Sequence, residues 1–265
     1  MTTSQLSKIT FYENGGLHDE THELIAEEPL AIRIEGQPYA VVMRTPGDET
    51  YHAAGFCLAE GIIDTPDDIK TIGICDDGDT NVITVTLEHD RKSKVSALLE
   101  RKGFVSQTSC GICGKELIND MMQVISAVKN ETKINILRVL KCVDSLTDFQ
   151  PIYKRTRGSH AAMILNSSLD VLSTAEDVGR HNALDKAIGK VFMEKSEDAY
   201  MAILSSRISY EMVQKAARAG LAVVIGMSRP TALAVNLGKT LNMSLASVKK
   251  EGLMIFSGKR RFTIL

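Results

Sequence analysis

The stretch YMAILSSRISYEMVQKAARAGLAVVIGM, residues 200–227, decides the fold class. It opens on an apolar run, Tyr200 to Leu204, and closes on another, Leu221 to Met227, both of strand length. Between them Tyr210 to Ala219 reads as a helix. Downstream, Thr231 to Leu241 reads as another helix, and short strands close the chain. Upstream, Ala161 to Leu165 and Val171 to Ser173 read as strands, and Asn182 to Phe192 as a helix. This alternation, with strands apolar enough to be buried on both faces, predicts an α/β domain with a mostly parallel sheet sandwiched by helices.

The first part of the chain reads differently. Leu30 to Ile34 and Tyr39 to Met43 are apolar, β-branched runs around the turn Glu35-Gly-Gln-Pro38. Asp48 is placed to cap a helix running to about Glu60, with Cys57 inside it. A second hairpin is expected from Thr71 to Cys75 and Val82 to Leu87, around Asp76 to Asp79. Gly103 to Gly114 is a loop, and helical spacing resumes from Lys115 through Val128. The expected division is therefore a β-rich portion over 1–105 and an α/β core over 106–265. No internal repeat and no low-complexity tract is visible.

Composition sets the outer bounds. The chain has 265 residues, 44% hydrophobic and 24% charged, with net charge −2. That balance suits a globular protein and gives no basic face for nucleic acid. Any anionic ligand must be held by local Arg and Lys clusters. No signal-peptide pattern and no span-length apolar run is present, so the expectation is a cytoplasmic protein. Five cysteines, Cys57, Cys75, Cys110, Cys113 and Cys142, are too few and too scattered for a disulfide framework.

Two of them form Ser109-Cys-Gly-Ile-Cys-Gly-Lys115. The glycines admit a ligand or backbone close to the thiols. Cys113 precedes an expected helix whose N–H groups favour a thiolate, and Lys115 adds positive charge. Spacing alone leaves three readings open: a catalytic or redox pair, half of a zinc site, or an incidental pair. Zinc needs two further ligands, and the remaining cysteines are single. The motif His18-Asp-Glu20 resembles part of a zinc nucleobase deaminase signature. Ser109 stands where that signature requires proline before the CxxC, and deamination is set aside. Met121-Met122 reads as core packing.

Three strand-to-helix loops carry arginine. Ala175-Glu-Asp-Val-Gly-Arg-His-Asn182 turns at Gly179, and puts Arg180 and His181 at the positive end of a helix. Glu176 and Asp177 are placed to meet a sugar or base. Ser205-Ser-Arg207 and Ser228-Arg-Pro-Thr231 follow the next two strands, with Pro230 placed to start a helix. Arg157-Gly-Ser-His160 precedes another strand. Individually each fits an ordinary cap or a solvated charge. Together they gather at the carboxyl ends of an open sheet, where ligands bind, and point to a phosphate-bearing ligand.

Across nearly its whole length the sequence resembles the FdhD family of formate dehydrogenase accessory sulfurtransferases. The resemblance rests on Glu28-Pro-Leu30, Met43-Arg-Thr-Pro-Gly47, Gly55-Phe56 with Glu60-Gly61, Ser109 to Lys115, His160-Ala-Ala162, Glu176 to Lys186, Ser205 to Arg207 with Ser209, and Pro230-Thr231 with Ala234. It implies a cytidine-deaminase-like three-layer sandwich that dimerises. It also implies persulfide chemistry on Cys110 and Cys113, with sulfur received from a cysteine desulfurase. The recipient would be the molybdenum (or tungsten) bis-guanine-dinucleotide cofactor, bound as cargo for the formate dehydrogenase apoenzyme. Cofactor contacts are expected from His160, Glu176, Asp177, Gly179, Arg180, His181, Asn182, Ser206, Arg207, Arg229 and Thr231, with no metal held by the protein itself. Ser206, Arg157 and Arg229 depart from the family's small residues at those places. Two other functions compete: a non-enzymatic cofactor chaperone, and a zinc-stabilised module.

Overall fold

The computed structural model describes residues 2–74, 80–99, 125–196 and 198–264. Cys75, Cys110 and Cys113, the turn at 76–79 and the helix expected from Lys115 to residue 124 lie outside the described residues. Ile125 to Val128, at the end of that expected helix, are irregular, and the Val128 N–H donates to Leu241 O.

The N-terminal portion is built from strands. β1 (Ser4–Glu13) and β2 (Gly16–Ile25) form an antiparallel ribbon joined at Asn14-Gly15, both with positive φ. Asn-Gly is the sequence that such a two-residue turn requires. β3 (Glu28–Ile34) pairs antiparallel with β4 (Gln37–Arg44) and parallel with β6 (Val82–Leu87), which pairs with β5 (Ile69–Ile74). The sheet order is β4-β3-β6-β5. Leu30, Ile32 and Ile34 on β3, and Ile83, Val85 and Leu87 on β6, alternate inward and are buried. Their face meets α1 (Glu49–Ala59), which buries Ala53, Cys57 and Leu58. Asp48 occupies the cap position but makes no side-chain cap; it is left-handed at φ 62°, and its carboxylate pairs with Lys190 at 2.8 Å. Helix α2 (His89–Leu99) follows β6.

The second portion holds β7 (Ile134–Asn135), α3 (Ile136–Ser145), α4 (Pro151–Thr156), β8 (His160–Asn166), β9 (Val171–Asp177), α5 (Arg180–Met193), β10 (Ala199–Arg207), α6 (Tyr210–Arg218), β11 (Val223–Ser228), α7 (Ala232–Thr240), β12 (Ser244–Lys249), β13 (Gly252–Ser257) and β14 (Phe262–Thr263). Six strands make one sheet in the order β13-β12-β11-β10-β8-β9. The centre, β10-β11-β12, is parallel, but β8 runs antiparallel to both neighbours and β13 antiparallel to β12. The expected mostly parallel sheet is thus a mixed one. The cause is connection length: residues 167–170 and Lys250-Glu251 are too short for a crossover, so each forms a hairpin.

Helices α5, α6 and α7 each cross from one strand to the next in the same direction along the sheet. Right-handed crossovers therefore place all three on one face. Helix α3 reaches from β13 to the β8–β9 turn, where Cys142 Sγ meets Leu169 O, and buries Val139 and Val143 in the same core. Central strand residues 161–165, 200–204 and 223–226 are buried throughout. The two portions join through α1 and α5, so the stack runs sheet, α1, α5, sheet. Gly55 and Gly189 permit this contact: an added Cβ would lie 1.9 Å from Asp185 O and 1.8 Å from Tyr51 O respectively.

Candidate functional site

Strand directions bring four chain segments to one sheet edge. His160 begins β8 directly opposite Asp177, the last residue of β9. Arg207 ends β10 opposite Ser228, the last residue of β11. The expected gathering of loops is therefore present, although the sheet is mixed.

Some of the expected contact residues turn inward. Glu176 accepts from Ile152 N and Tyr153 N, both at 2.7 Å, and from Ser159 Oγ at 2.6 Å. It caps α4 by charge-assisted bonds. Asp177 has zero exposure and accepts from Thr45 N at 3.0 Å, Gly179 N at 2.8 Å and Asn182 Nδ2 at 2.9 Å, with Lys186 Nζ at 2.7 Å. Neither carboxylate keeps a free edge for a base. Asn182 Nδ2 also donates to Met43 O, and Lys186 Nζ to Thr45 O, both at 2.7 Å. This network docks Met43-Arg-Thr45 of the N-terminal portion onto the turn before α5. Gly179 is the N-cap of α5, and an added Cβ there would press on Asn182 Nδ2 at 2.9 Å.

Two further expected residues serve local structure. Ser206 is buried, and its hydroxyl donates to Arg207 O at 3.0 Å. Thr231 is the N-cap of α7, accepting from Ala234 N at 3.2 Å; Pro230 therefore precedes the cap and does not start the helix. Arg229 is exposed beside it.

The remaining residues form a cationic group at the edge. Arg180 opens α5, partly buried, and its Nε is sealed from solvent with no hydrogen-bond partner among the described residues. Burial, and then the neighbouring Arg207 guanidinium, lower the Arg180 pKa. His160 Nδ1 lies 3.2 Å from Ser205 Oγ, which accepts from Ala161 N at 2.8 Å. Burial first, then the charges of Arg180 and His181, push the His160 pKa below the usual imidazole range, so it is neutral at pH 7. His181 Nε2 lies 2.7 Å from Glu211 Oε2. The first N–H groups of α5 add the positive end of a 14-residue helix. Two adjacent guanidiniums, one with an unpaired buried donor, describe a place for an anion.

The sequence reading missed Thr45, Lys186, Ser205 and Glu211. Glu211 carried a signal, since an acid two residues after Ser209 reads as a helix start. That reading did not reveal His181 as its partner. Of the described cysteines, Cys57 is fully buried, and burial pushes both its thiol and that of Cys142 up in pKa. Neither is poised as a thiolate. Among the described residues no group of three or more His, Cys, Asp or Glu is arranged to hold a metal ion. No described helix is long and apolar enough to cross a membrane.

Known proteins are similar to this chain in sequence and in architecture. The crystal structure of a Desulfotalea psychrophila protein described as a formate dehydrogenase accessory protein matches with a TM-score of 0.78 at 22% identity, covering 99% of this chain and 100% of that one. The sulfur carrier protein FdhD of Sulfurisphaera tokodaii is 33% identical over 241 residues, 89% of each chain. That of Anaeromyxobacter dehalogenans is 33% identical over 97% of this chain and 93% of its own. The model of the FdhD/NarQ family matches residues 25–263, and with these relatives it shows that the chain belongs to the FdhD/NarQ family.

Proposed function

We propose that this protein is a cytoplasmic sulfurtransferase that carries persulfide sulfur on Cys110 and Cys113. Its donor is a cysteine desulfurase. Its cargo is the molybdenum or tungsten bis-guanine-dinucleotide cofactor destined for a formate dehydrogenase apoenzyme, and it works as a homodimer. The relatives' name, sulfur carrier protein, supports the sulfur chemistry. In the loading step a cysteine thiolate attacks the outer sulfur of the donor persulfide. The donor S–S bond breaks, and the desulfurase leaves as its own thiolate.

One observation carries the cargo assignment: Arg180 Nε is buried and has no partner among the described residues, next to Arg207. A buried unmatched donor is costly, and a phosphate oxygen would satisfy it while neutralising two like charges. Arg180, Arg207, the α5 N-terminus and neutral His160 are the groups offered to phosphates. Glu176, Asp177, Asn182, Ser206 and Thr231 hold those groups in place.

A second reading, a cofactor chaperone that moves no sulfur, is favoured by one fact. The cationic edge is assembled without any described cysteine. Formate dehydrogenase activity in cells lacking their own copy of the protein separates the two. Under the carrier reading, Cys110→Ala with Cys113→Ala abolishes activity while the protein stays folded, and Arg180→Ala lowers it. Full activity from the double cysteine variant would leave only the chaperone.

A further inference from the structure

A carboxylate beside an anion site needs a reason, because it repels what the site attracts. Glu211 is such a group. It lies in the first turn of α6, where a carboxylate is ordinarily favoured by the helix dipole. Its Oε2 is nevertheless turned out of its own helix, to within 2.7 Å of His181 Nε2 on α5. Ser209 Oγ stands 3.5 Å from the same nitrogen, a much weaker contact. The carboxylate thus decides that Nε2 carries a proton. The other ring nitrogen, Nδ1, has no hydrogen-bond partner among the described residues.

We propose that Glu211 is a positioning residue of the cationic edge: its bond to Nε2 fixes the orientation of the His181 imidazole at the N-terminus of α5, next to Arg180, where a phosphate would bind. The inference rests on the reading that this edge takes phosphate. The charged and titratable groups around His181 agree with it. From its own helix come Arg180 and Asp185, from β10 Arg207, from β8 His160, from β9 Asp177, and from α6 Glu211 and Lys215. Asp177 is committed to Lys186 and Asp185 to Lys215, whose Nζ contacts both Asp185 oxygens at 2.9 and 2.8 Å. His160 is held neutral by burial and its cationic neighbours. Glu211 is the carboxylate bonded to the imidazole, and that bond is the main cause of its own lowered pKa, against the opposing effect of burial.

The test is calorimetric titration of the full-length protein with guanosine diphosphate at pH 7. Glu211→Gln keeps the shape and removes the charge, and His181→Ala removes the imidazole. The expected result is that Glu211→Gln binds about tenfold more weakly at pH 7, the size of one hydrogen bond to a charged group. A carboxylate that merely stood beside the site would do the opposite, since removing its charge would relieve repulsion and tighten binding. His181→Ala should also bind weakly, and Glu211→Gln in that background should add no further loss. Equal or tighter binding by Glu211→Gln, or a full further loss in the double variant, would overturn the inference and leave Glu211 a helix-dipole residue. No binding by wild type would instead overturn the phosphate reading on which it rests.

Discussion

His52 sits on α1 with zero exposure, and among the described residues its ring makes no full hydrogen bond, only a contact with the Asn182 side chain. Burial, then the charges of Lys186, Lys215 and Arg44, push its pKa well below the ordinary 6.5. The folded protein therefore keeps this imidazole neutral where the unfolded chain would protonate it. Stability from this site is complete above pH 6.5 and falls as the solution is acidified, by up to about 1.4 kcal/mol per pH unit until the folded-state pKa is reached. Thermal melts between pH 7.5 and 5 should show this slope, and His52→Gln should flatten it. An unchanged slope in the variant would assign the acid sensitivity elsewhere. At this scale the sequence was legible in chemical type but not in partner. Arg180, His160 and Arg207 stand at the edge where strand order put them. Glu176 and Asp177 look identical in the sequence to ligand-binding acids. Only the fold reveals that Ile152, Tyr153, Ser159, Thr45 and Lys186 already occupy them.

Helices α1 and α5 meet backbone to backbone, and two glycines make that possible. Gly55→Ala or Gly189→Ala would force a methyl into a carbonyl oxygen less than 2 Å away. Each should cost about 1–3 kcal/mol as an overpacked contact. Chemical denaturation should show the loss, with Gly73→Ala, which has open space around it, as the unaffected control. A tolerated substitution at either helix would mean that the two portions are less firmly joined. Elements with one buried face were readable: β3, β4, β5, β6 and the run from β8 to α7 lie within a few residues of expectation. The β1–β2 ribbon was not, because Leu6, Tyr12 and Leu17 are exposed and neither face gives a period-two signal. Helix α2, rich in charge, was hidden for the same reason. Strand β9 runs four residues past its apolar part because Thr174 to Asp177 are paired to β8 through the sheet.

In the whole molecule, the N-terminal sheet does not touch the cationic edge as a separate unit. It reaches it through Thr45, whose N–H, side-chain oxygen and carbonyl all bond to the turn before α5 or to Lys186. Fold and edge are one construction, which explains why motifs 130 residues apart in the sequence belong together. Both described cysteines, Cys57 and Cys142, are raised in pKa by burial, and the proposed carrier is the Cys110-Gly-Ile-Cys113 loop. Intact mass after sulfur loading reads out that assignment. The protein is incubated with a cysteine desulfurase, pyridoxal phosphate and cysteine, beside Cys110→Ala and Cys113→Ala. Wild type is expected to gain the mass of one or more sulfur atoms, reductant to remove the gain, and at least one of the two variants to fail to show it. A wild type that gains no sulfur from a competent desulfurase, or an equal gain in the double variant, would contradict it.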